Sequence, residues 1–135
     1  MQVQDIMTRD VQTVAPDAPI QEAAAIMLKH EVGALPVTDG NHVVGFLTDR
    51  DIVVRATAAG LDPTRTPVRQ AMTRGVVSCY DENDVSELAR KMETAGVRRL
   101  VVLNSADHLA GIVSIEDLAV RGENPVLTGE IMAFR

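Results

Sequence analysis

Cysteine and aromatic residues are scarce in this sequence. Its 135 residues include one cysteine, one tyrosine, two phenylalanines and no tryptophan. With Cys79 alone, the chain cannot form an internal disulfide or a metal centre built on several thiolates. Because aromatic residues make up only 2% of the chain, the core must consist of aliphatic side chains and methionine. A hydrophobic fraction of 46% nevertheless predicts an ordered globular protein, with Cys79 as a small buried hydrophobic residue.

Long apolar runs, grouped histidines and an excess of positive charge are also missing. The longest purely apolar run, residues 23–28, is far shorter than the ~18 residues that suggest a membrane span. Residues 1–10 lack the basic and apolar regions of a signal peptide. His30, His42 and His108 have no metal-ligand spacing, so we predict no metal site. Without a predicted signal peptide or membrane span we expect a cytoplasmic protein, and with a net charge of -6 we expect it to bind neither nucleic acid nor membranes.

One structural unit occurs twice in the chain. Residues 3–11 (VQDIMTRDV) align with residues 68–76 (VRQAMTRGV), and the alignment continues with a shift of one residue in a loop. Such a repeat predicts two copies of the same small fold. We place the copies at 1–59 and 68–122, joined by a linker at 60–67 and followed by a tail at 123–135.

Both copies show the same order of predicted elements. A short β-prone stretch precedes an amphipathic helix of about three turns, and two buried strands and a second helix follow. The first strand is expected at 11–14 and 76–79, and the second helix at 48–60 and 114–122, each ending at a glycine. Because a unit of ~60 residues buries little surface alone, the copies should pack together. The predicted fold class is therefore α+β, with two β-α-β-β-α units packed sheet to sheet around a pseudo-two-fold axis.

The most informative local pattern is G-apolar-apolar-[ST]-x-x-D, found at residues 45–51 and 111–117. One interpretation is a capping box, in which Thr48 or Ser114 caps a helix and the aspartate bonds back to the cap. The other is a ligand site, because a strand-to-helix junction exposes N–H groups that can bind phosphate. A carboxylate at the same place can accept both hydroxyls of a ribose. Occurrence at the same position in both copies favours the ligand site.

Together these motifs resemble a tandem pair of cystathionine-β-synthase (CBS) domains, also called a Bateman module. The resemblance covers about residues 1–122. Among CBS proteins, the sequence looks most like small stand-alone bacterial two-CBS proteins of the hypoxic response protein type. It rests on IMT (6–8), HEVGALPV (30–37), GFLTDRD (45–51), AMT (71–73), VRRLVV (97–102) and GIVSIED (111–117).

The resemblance implies two clefts between the copies that bind adenosine-containing ligands such as AMP, ADP or ATP, and sometimes NAD or S-adenosylmethionine. It also implies a homodimer and no prosthetic group, with a regulated partner protein that the sequence does not identify. Carried over residue by residue, the first cleft would use Thr48, Arg50, Asp51, Thr73, Val77, Val97, Arg98 and Arg99. The second would use Thr8, Gln12, Val32, Gly33, Ala34, Ser114 and Asp117.

Charge distinguishes the two implied clefts. The first would contain Arg50, Arg98 and Arg99, which can form charge-assisted bonds to phosphate oxygens. The second would have Gly33 and Ala34 at the equivalent places, with Glu116 in place of Arg50. Phosphates are therefore expected in the first cleft only. In the alternative interpretation, the arginines form surface ion pairs and the second cleft is an empty pseudo-site.

Three classes of function remain to be weighed. We find no paired nucleophile and base, no metal set and no G-x-x-x-x-G-K-[ST] phosphate loop, so we do not expect an enzyme. A ligand-sensing regulatory module and a structural dimerisation module both remain open. Dimerisation is predicted because the chain has more apolar residues than two small sheets could cover. The residues concerned are Ala23, Met27, Ile52, Val53, Leu88, Met92 and Leu118.

Overall fold

Helices and strands follow one another in nearly the same order in both repeats. The computed structural model describes residues 1–121. The first repeat contains helix α1 (Ile20–His30), strands β1 (Ala34–Asp39) and β2 (His42–Thr48), and helix α2 (Asp49–Asp51), which continues as a π-helix over Ile52–Thr57. The second contains strand β3 (Ser78–Tyr80), helix α3 (Val85–Ala95), strands β4 (Arg99–Leu103) and β5 (Leu109–Ser114), and helix α4 (Ile115–Arg121). The predicted mixture of helices and small sheets is confirmed. The expected helix end at Gly122 and the tail at 123–135 lie outside the described residues.

The compact units of the structure do not coincide with the sequence repeats. Val11–Val76 form one unit, called the first unit below. Residues 1–10 and 77–121 belong to the other, called the second unit. The start of each repeat therefore belongs to the unit of the other repeat. We call residues 1–10 and 68–76 the exchanged segments.

Each exchanged segment is bonded to the last strand of the unit that it joins. In the first unit, Thr73 and Phe46 donate to each other's carbonyls at 2.9 Å. In the second unit, Thr8 donates to the carbonyl of Ile112 at 2.9 Å and accepts from its N–H at 3.0 Å. Because Phe46 and Ile112 occupy equivalent positions on β2 and β5, both sheets are extended at the same edge.

The sheet of the first unit has two strands, one fewer than predicted. β1 and β2 pair in antiparallel fashion. Beside β1, Val14 donates to the carbonyl of Pro36 at 3.2 Å and accepts from Thr38 at 3.0 Å. The strand predicted at 11–14 is therefore wrong and is reduced to a single bridge. Pro36 has no N–H to donate to the next carbonyl of this segment, so the ladder cannot extend.

The sheet of the second unit contains all three predicted strands. β3 runs parallel to β4, and β4 pairs with β5 in antiparallel fashion. Val101 stands where the first repeat has Pro36, and its N–H donates to the carbonyl of Val77 at 3.2 Å. With this donor present, the strand predicted at 76–79 forms over Ser78–Tyr80.

Each unit has its own aliphatic core. The first contains Ile20, Ala23, Met27, Leu35, Leu47 and Met72 among others. The second includes Val3, Ile6, Leu88, Met92, Leu100, Ile115 and Leu118, together with Cys79, which is 2% exposed. Both cores fit the expectation of aliphatic residues and methionine, and Cys79 is buried as predicted. Complete burial of one such aliphatic side chain stabilises the fold by about 1.5–3 kcal/mol.

Core membership corrects the predicted dimerisation surface. Ala23, Met27, Leu88, Met92 and Leu118 are only 0–7% exposed and pack inside the units, and Ile52 is packed against the first core. They cannot form an external face. Of the residues predicted for that role, Val53 is exposed, and Leu28, Val54 and Val120 are further exposed apolar residues. No helix within residues 1–121 combines the length and apolar character needed to cross a membrane.

Glycine is required where the exchanged segments meet the strands. A Cβ at Gly45 would lie 2.5 Å from the sulfur of Met72 and 3.0 Å from the carbonyl oxygen of Thr73. A Cβ at Gly111 would lie 2.5 Å from the carbonyl oxygen of Thr8. The first glycine of each G-apolar-apolar-[ST]-x-x-D motif therefore allows an exchanged segment to approach closely.

Candidate functional site

The strand-to-helix junction of the first unit is a complete capping box. Thr48 ends β2, and its Oγ1 accepts a hydrogen bond from the N–H of Asp51 at 3.1 Å. In return, Asp51 Oδ2 accepts from the N–H of Thr48 at 2.9 Å. The second carboxylate oxygen, Oδ1, lies 4.0 Å from Nε of Arg55. The side chain of Asp51 is 17% exposed, so the carboxylate is only partly accessible to solvent.

The junction of the second unit has the same geometry. Ser114 Oγ accepts from the N–H of Asp117 at 3.1 Å, and Asp117 Oδ2 accepts from the N–H of Ser114 at 2.8 Å. The helix-cap interpretation is therefore correct for both copies. It is compatible with a ligand role, because a carboxylate offers about four acceptor positions and the cap uses one.

In the first unit, the residues before β1 lie next to Thr48. Ala34 is opposite Thr48 in the β1–β2 pairing. The carbonyl of Gly33 accepts from the N–H of Asp49 at 2.9 Å, and a Cβ on Gly33 would be 3.1 Å from Asp49 Oδ2. Val32 is 39% exposed. This junction is thus bordered by small and apolar groups and by the Asp49 carboxylate.

In the second unit, the equivalent positions carry arginines. Arg99 is opposite Ser114, and the carbonyl of Arg98 accepts from the N–H of Ile115 at 2.9 Å. Arg98 Nη2 donates to Glu116 Oε1 at 2.8 Å. This hydrogen bond lowers the pKa of the Glu116 carboxyl, because the guanidinium stabilises its ionised form. Val97 is partly buried against the core of its unit.

These contacts lie within each unit, whereas the grouping expected from sequence joins residues of both units and stays a prediction. That grouping placed Arg98 and Arg99 with Asp51, and Gly33 and Ala34 with Asp117. In the structure each set lies at the junction of its own repeat, because an antiparallel hairpin pairs the start of its first strand with the end of its second. Arg98 and Glu116, which that grouping assigned to different clefts, form an ion pair. For Arg98, the surface ion-pair interpretation is the observed one.

The exchanged segments bring two more predicted residues to the junctions. Thr73 is bonded to Phe46, two residues before Thr48, and Thr8 is bonded to Ile112, two residues before Ser114. Both threonines are exposed. They lie beside the junctions to which the sequence assigned them.

The remaining predicted residues lie further from the caps. Arg50 is exposed in the first turn of α2, and its N–H donates to Asp49 Oδ1 at 2.8 Å. Gln12 is exposed, and the carbonyl of Val77 belongs to the β-sheet. A pocket of about 520 Å³ lies along α3, bordered by Val77, Arg90 and Lys91 among others. Of the predicted site residues, only Val77 lines it.

Two arginines beside the junctions were not among the residues predicted from the sequence. Arg55 Nη1 donates to the carbonyls of Ala71 at 3.4 Å and Met72 at 3.1 Å. Arg121 Nη1 donates to the carbonyl of Ile6 at 3.0 Å. Each arginine follows the motif aspartate by four residues in both repeats. That shared spacing could have indicated the two arginines from the sequence. Within residues 1–121, no group of three or more His, Cys, Asp and Glu side chains could hold a metal ion.

The family profile of the CBS domain matches residues 3–56 and 68–122. The chain belongs to the CBS domain family. It is 42% identical over 118 residues to the CBS domain-containing protein YhcV of Bacillus subtilis, covering 87% of this chain and 83% of YhcV. It is 39% identical over 117 residues to Hypoxic response protein 1 of Mycobacterium tuberculosis, covering 85% of this chain and 80% of that protein. The predicted resemblance to stand-alone CBS pairs is confirmed.

Solved CBS structures share the fold. A CBS domain protein from Pyrobaculum aerophilum, complexed with AMP, matches with a TM-score of 0.81 and 26% identity, covering 98% of this chain and 99% of that one. The CBS domain pair of protein MJ0100, in complex with 5′-methylthioadenosine and S-adenosyl-L-methionine, matches with a TM-score of 0.77 and 29% identity, covering 88% and 93%. CBS pairs are generally regulatory, non-catalytic modules, and neither YhcV nor Hypoxic response protein 1 is named as an enzyme.

Proposed function

We propose that this CBS pair is a non-catalytic cytoplasmic sensor that binds an adenine nucleotide such as AMP, ADP or ATP. One observation carries the proposal: the same cap-bound aspartate, with one carboxylate oxygen not used by the cap, occurs at the junction of both repeats. The relatives with bound AMP and bound S-adenosyl-L-methionine support an adenosyl ligand. The name Hypoxic response protein 1 is consistent with a role in a stress response.

In this proposal the motif aspartates recognise the ribose. Asp51 Oδ2 is held by the N–H of Thr48, which orients the carboxylate and leaves Oδ1 to accept from a ribose hydroxyl. Asp117 is held by Ser114 in the same manner. A carboxylate oriented in advance loses little freedom when two hydroxyls bind, so more of the interaction energy contributes to affinity.

Phosphate recognition is assigned to arginines. Arg50 and Arg99 are both exposed, one in the first turn of α2 and the other opposite Ser114. Arg98 contributes less, because its guanidinium is already bonded to Glu116. The remaining residues of the predicted sites complete the proposal, namely Thr73, Val77 and Val97 for the first site and Thr8, Gln12, Val32, Gly33 and Ala34 for the second.

The decisive experiment compares two aspartates that both cap helices. Asp84 Oδ1 accepts from the N–H of Ser86 at 2.9 Å at the start of α3, away from either motif. We expect Asp51→Asn to weaken AMP or ATP binding about ten- to a hundredfold, the equivalent of ~1.5–3 kcal/mol for bonds to a charged group. Asp84→Asn keeps a side-chain oxygen that can accept from Ser86, so it should change stability little and leave nucleotide affinity unchanged.

Calorimetry with AMP, ADP, ATP, NADH and S-adenosylmethionine gives the affinities, and thermal unfolding gives the stability of each variant. Wild-type protein that binds none of these ligands would contradict the proposal. Full nucleotide affinity in Asp51→Asn would contradict the role of this carboxylate.

A structural dimerisation module without a nucleotide is the second candidate. Both capping boxes are complete, so helix capping alone could explain why each motif contains its aspartate. Exposed Leu28 and Val53 in the first unit also offer apolar surface to another chain. The ligand screen distinguishes this candidate, because a purely structural module shows no saturable heat with any adenosyl compound.

A further inference from the structure

The arginine that follows each motif aspartate holds an exchanged segment in place. In the first unit, Arg55 Nη1 donates to the carbonyls of Ala71 and Met72 at 3.4 and 3.1 Å. Both residues are at least 93% buried, at 1% and 7% exposure. They come directly after the 3₁₀ turn Val68–Gln70 and directly before Thr73. A turn of this kind ends in carbonyls that have no partner within the turn, and a guanidinium is well suited to bind them.

The second unit repeats this contact with a different helix type. Arg121 Nη1 donates at 3.0 Å to the carbonyl of Ile6, which follows the 3₁₀ turn Val3–Asp5. Ile6 aligns with Ala71, and Arg121 aligns with Arg55. Arg121 lies on α4, whereas Arg55 lies on the π-helix. Both arginines reach the carbonyls of an exchanged segment although one lies on a π-helix and the other on an α-helix. The type of helix alone therefore does not explain the contact.

Arg55 also faces the carboxylate proposed to bind ribose. Its Nε is 4.0 Å from Asp51 Oδ1, the oxygen that the helix cap leaves available. One guanidinium therefore faces both the carboxylate and the segment that carries Thr73. A ribose hydroxyl that donates to Oδ1 would fix the carboxylate against Arg55 and reduce the freedom of the arginine.

We propose that Arg55 is a positioning residue that couples ligand binding at Asp51 to the order of residues 68–73. This inference rests on the proposed function. Coupling is reciprocal: if the nucleotide orders the segment, a well-held segment raises nucleotide affinity by the same factor. The exchanged segment of the first unit is thus the part of that unit that responds to the ligand.

Hydrogen exchange of the full chain tests the coupling at Arg55. The amides of Gln70, Ala71, Met72 and Thr73 are all bonded within the first unit, so their exchange reports opening of the segment. Without ligand, we expect Arg55→Met to exchange at least threefold faster than wild type over residues 68–76. Helix α3 in the second unit should be unchanged. Arg65→Met is the matched control, since it removes one exposed arginine of the same unit whose side chain is 88% exposed.

Saturating AMP or ATP provides the second half of the test. In wild type, nucleotide should slow exchange both at residues 48–51 and at 68–76. In Arg55→Met, the affinity should fall about three- to tenfold, and saturating nucleotide should protect 48–51 alone. Arg55→Lys, which keeps the charge and a donor, should restore part of the protection of 68–76. Loss of a merely structural contact would not separate the two segments in this way.

The outcomes distinguish this inference from the function on which it rests. Equal exchange of residues 68–76 in wild type and Arg55→Met, with and without nucleotide, would overturn it. Wild type that binds neither AMP nor ATP would overturn the proposed function and the coupling together. The ligand-free comparison would still decide whether Arg55 holds the segment.

Discussion

Replacing Gly45 or the equivalent Gly111 by alanine should lower the free energy of unfolding by different amounts. A Cβ on Gly111 would lie 2.5 Å from the carbonyl oxygen of Thr8 and 2.9 Å from the sulfur of Met7. A Cβ on Gly45 would lie 2.5 Å from the sulfur of Met72, with the carbonyl oxygen of Thr73 at 3.0 Å. A thioether can change its rotamer, whereas a backbone oxygen moves only with its segment.

The expected magnitudes follow from these contacts. Gly45→Ala should cost about 1–2 kcal/mol, the lower part of the range for an overpacked core. Gly111→Ala should cost about 2–4 kcal/mol, because moving Thr8 also weakens two backbone hydrogen bonds to Ile112 worth about 0.5–1.5 kcal/mol each. A lower entropy of the unfolded chain offsets about 0.4–1 kcal/mol in both variants.

Urea unfolding followed by far-ultraviolet circular dichroism measures this difference, since the chain has no tryptophan for fluorescence. All variants are compared at one protein concentration. A double variant adds a control: Met72→Ala should relieve part of the cost of Gly45→Ala, whereas Met7→Ala should leave most of the cost of Gly111→Ala. Equal stability of Gly111→Ala and wild type, or a larger loss in Gly45→Ala, would refute the explanation of these glycines.

Three further predictions concern chemistry, assembly and charge. Burial raises the pKa of Cys79 to about 11 from an ordinary value of 9.0, so the folded protein binds more protons than the unfolded chain between these values. Its contribution to stability should therefore decline as pH rises through this window, a decline absent from Cys79→Ala, and native Cys79 should resist iodoacetamide. Light scattering should give about twice the 14.5 kDa chain mass, and Val54→Lys, at a side chain 51% exposed, should give a monomer that stays folded; a monomeric wild type would contradict the dimer. Arg99→Ala should weaken AMP and ATP more than adenosine, and equal losses for all three would exclude a phosphate contact.

Local sequence signals predicted the repeated elements of the fold well. The [ST]-x-x-D motif correctly placed Thr48 and Ser114 at helix starts, because a cap depends on residues only three positions apart. Helices α1 and α3 followed from apolar periodicity for the same reason. The strand at 11–14 failed because its ladder depends on a donor at Pro36 of another strand. Proline there was visible in the sequence, but its consequence required knowledge of the pairing.

Dimer-face residues were misassigned because amphipathic helices do not reveal what covers their apolar side. Met27 and Met92 sit at helical spacing and could face a core or a partner chain equally well. The structure places them in the cores of their units, at 7% and 1% exposure. Leu28, next to Met27, is 82% exposed. One step along the helix separates core from surface, and only tertiary contacts determine where that boundary falls.

A duplicated sequence makes the assignment of site residues ambiguous in principle. Every motif occurs twice, so each arginine or glycine beside a strand can be joined to the aspartate of its own repeat or of the other. Strand pairing places Arg99 opposite Ser114 and Ala34 opposite Thr48, each within its own repeat. The exchanged segments instead join residues of different repeats, since Thr73 belongs to the second repeat but is bonded to Phe46 of the first. Each junction thus combines residues from both repeats, and a change at Arg55 or Arg121 acts on a segment that the other repeat supplies.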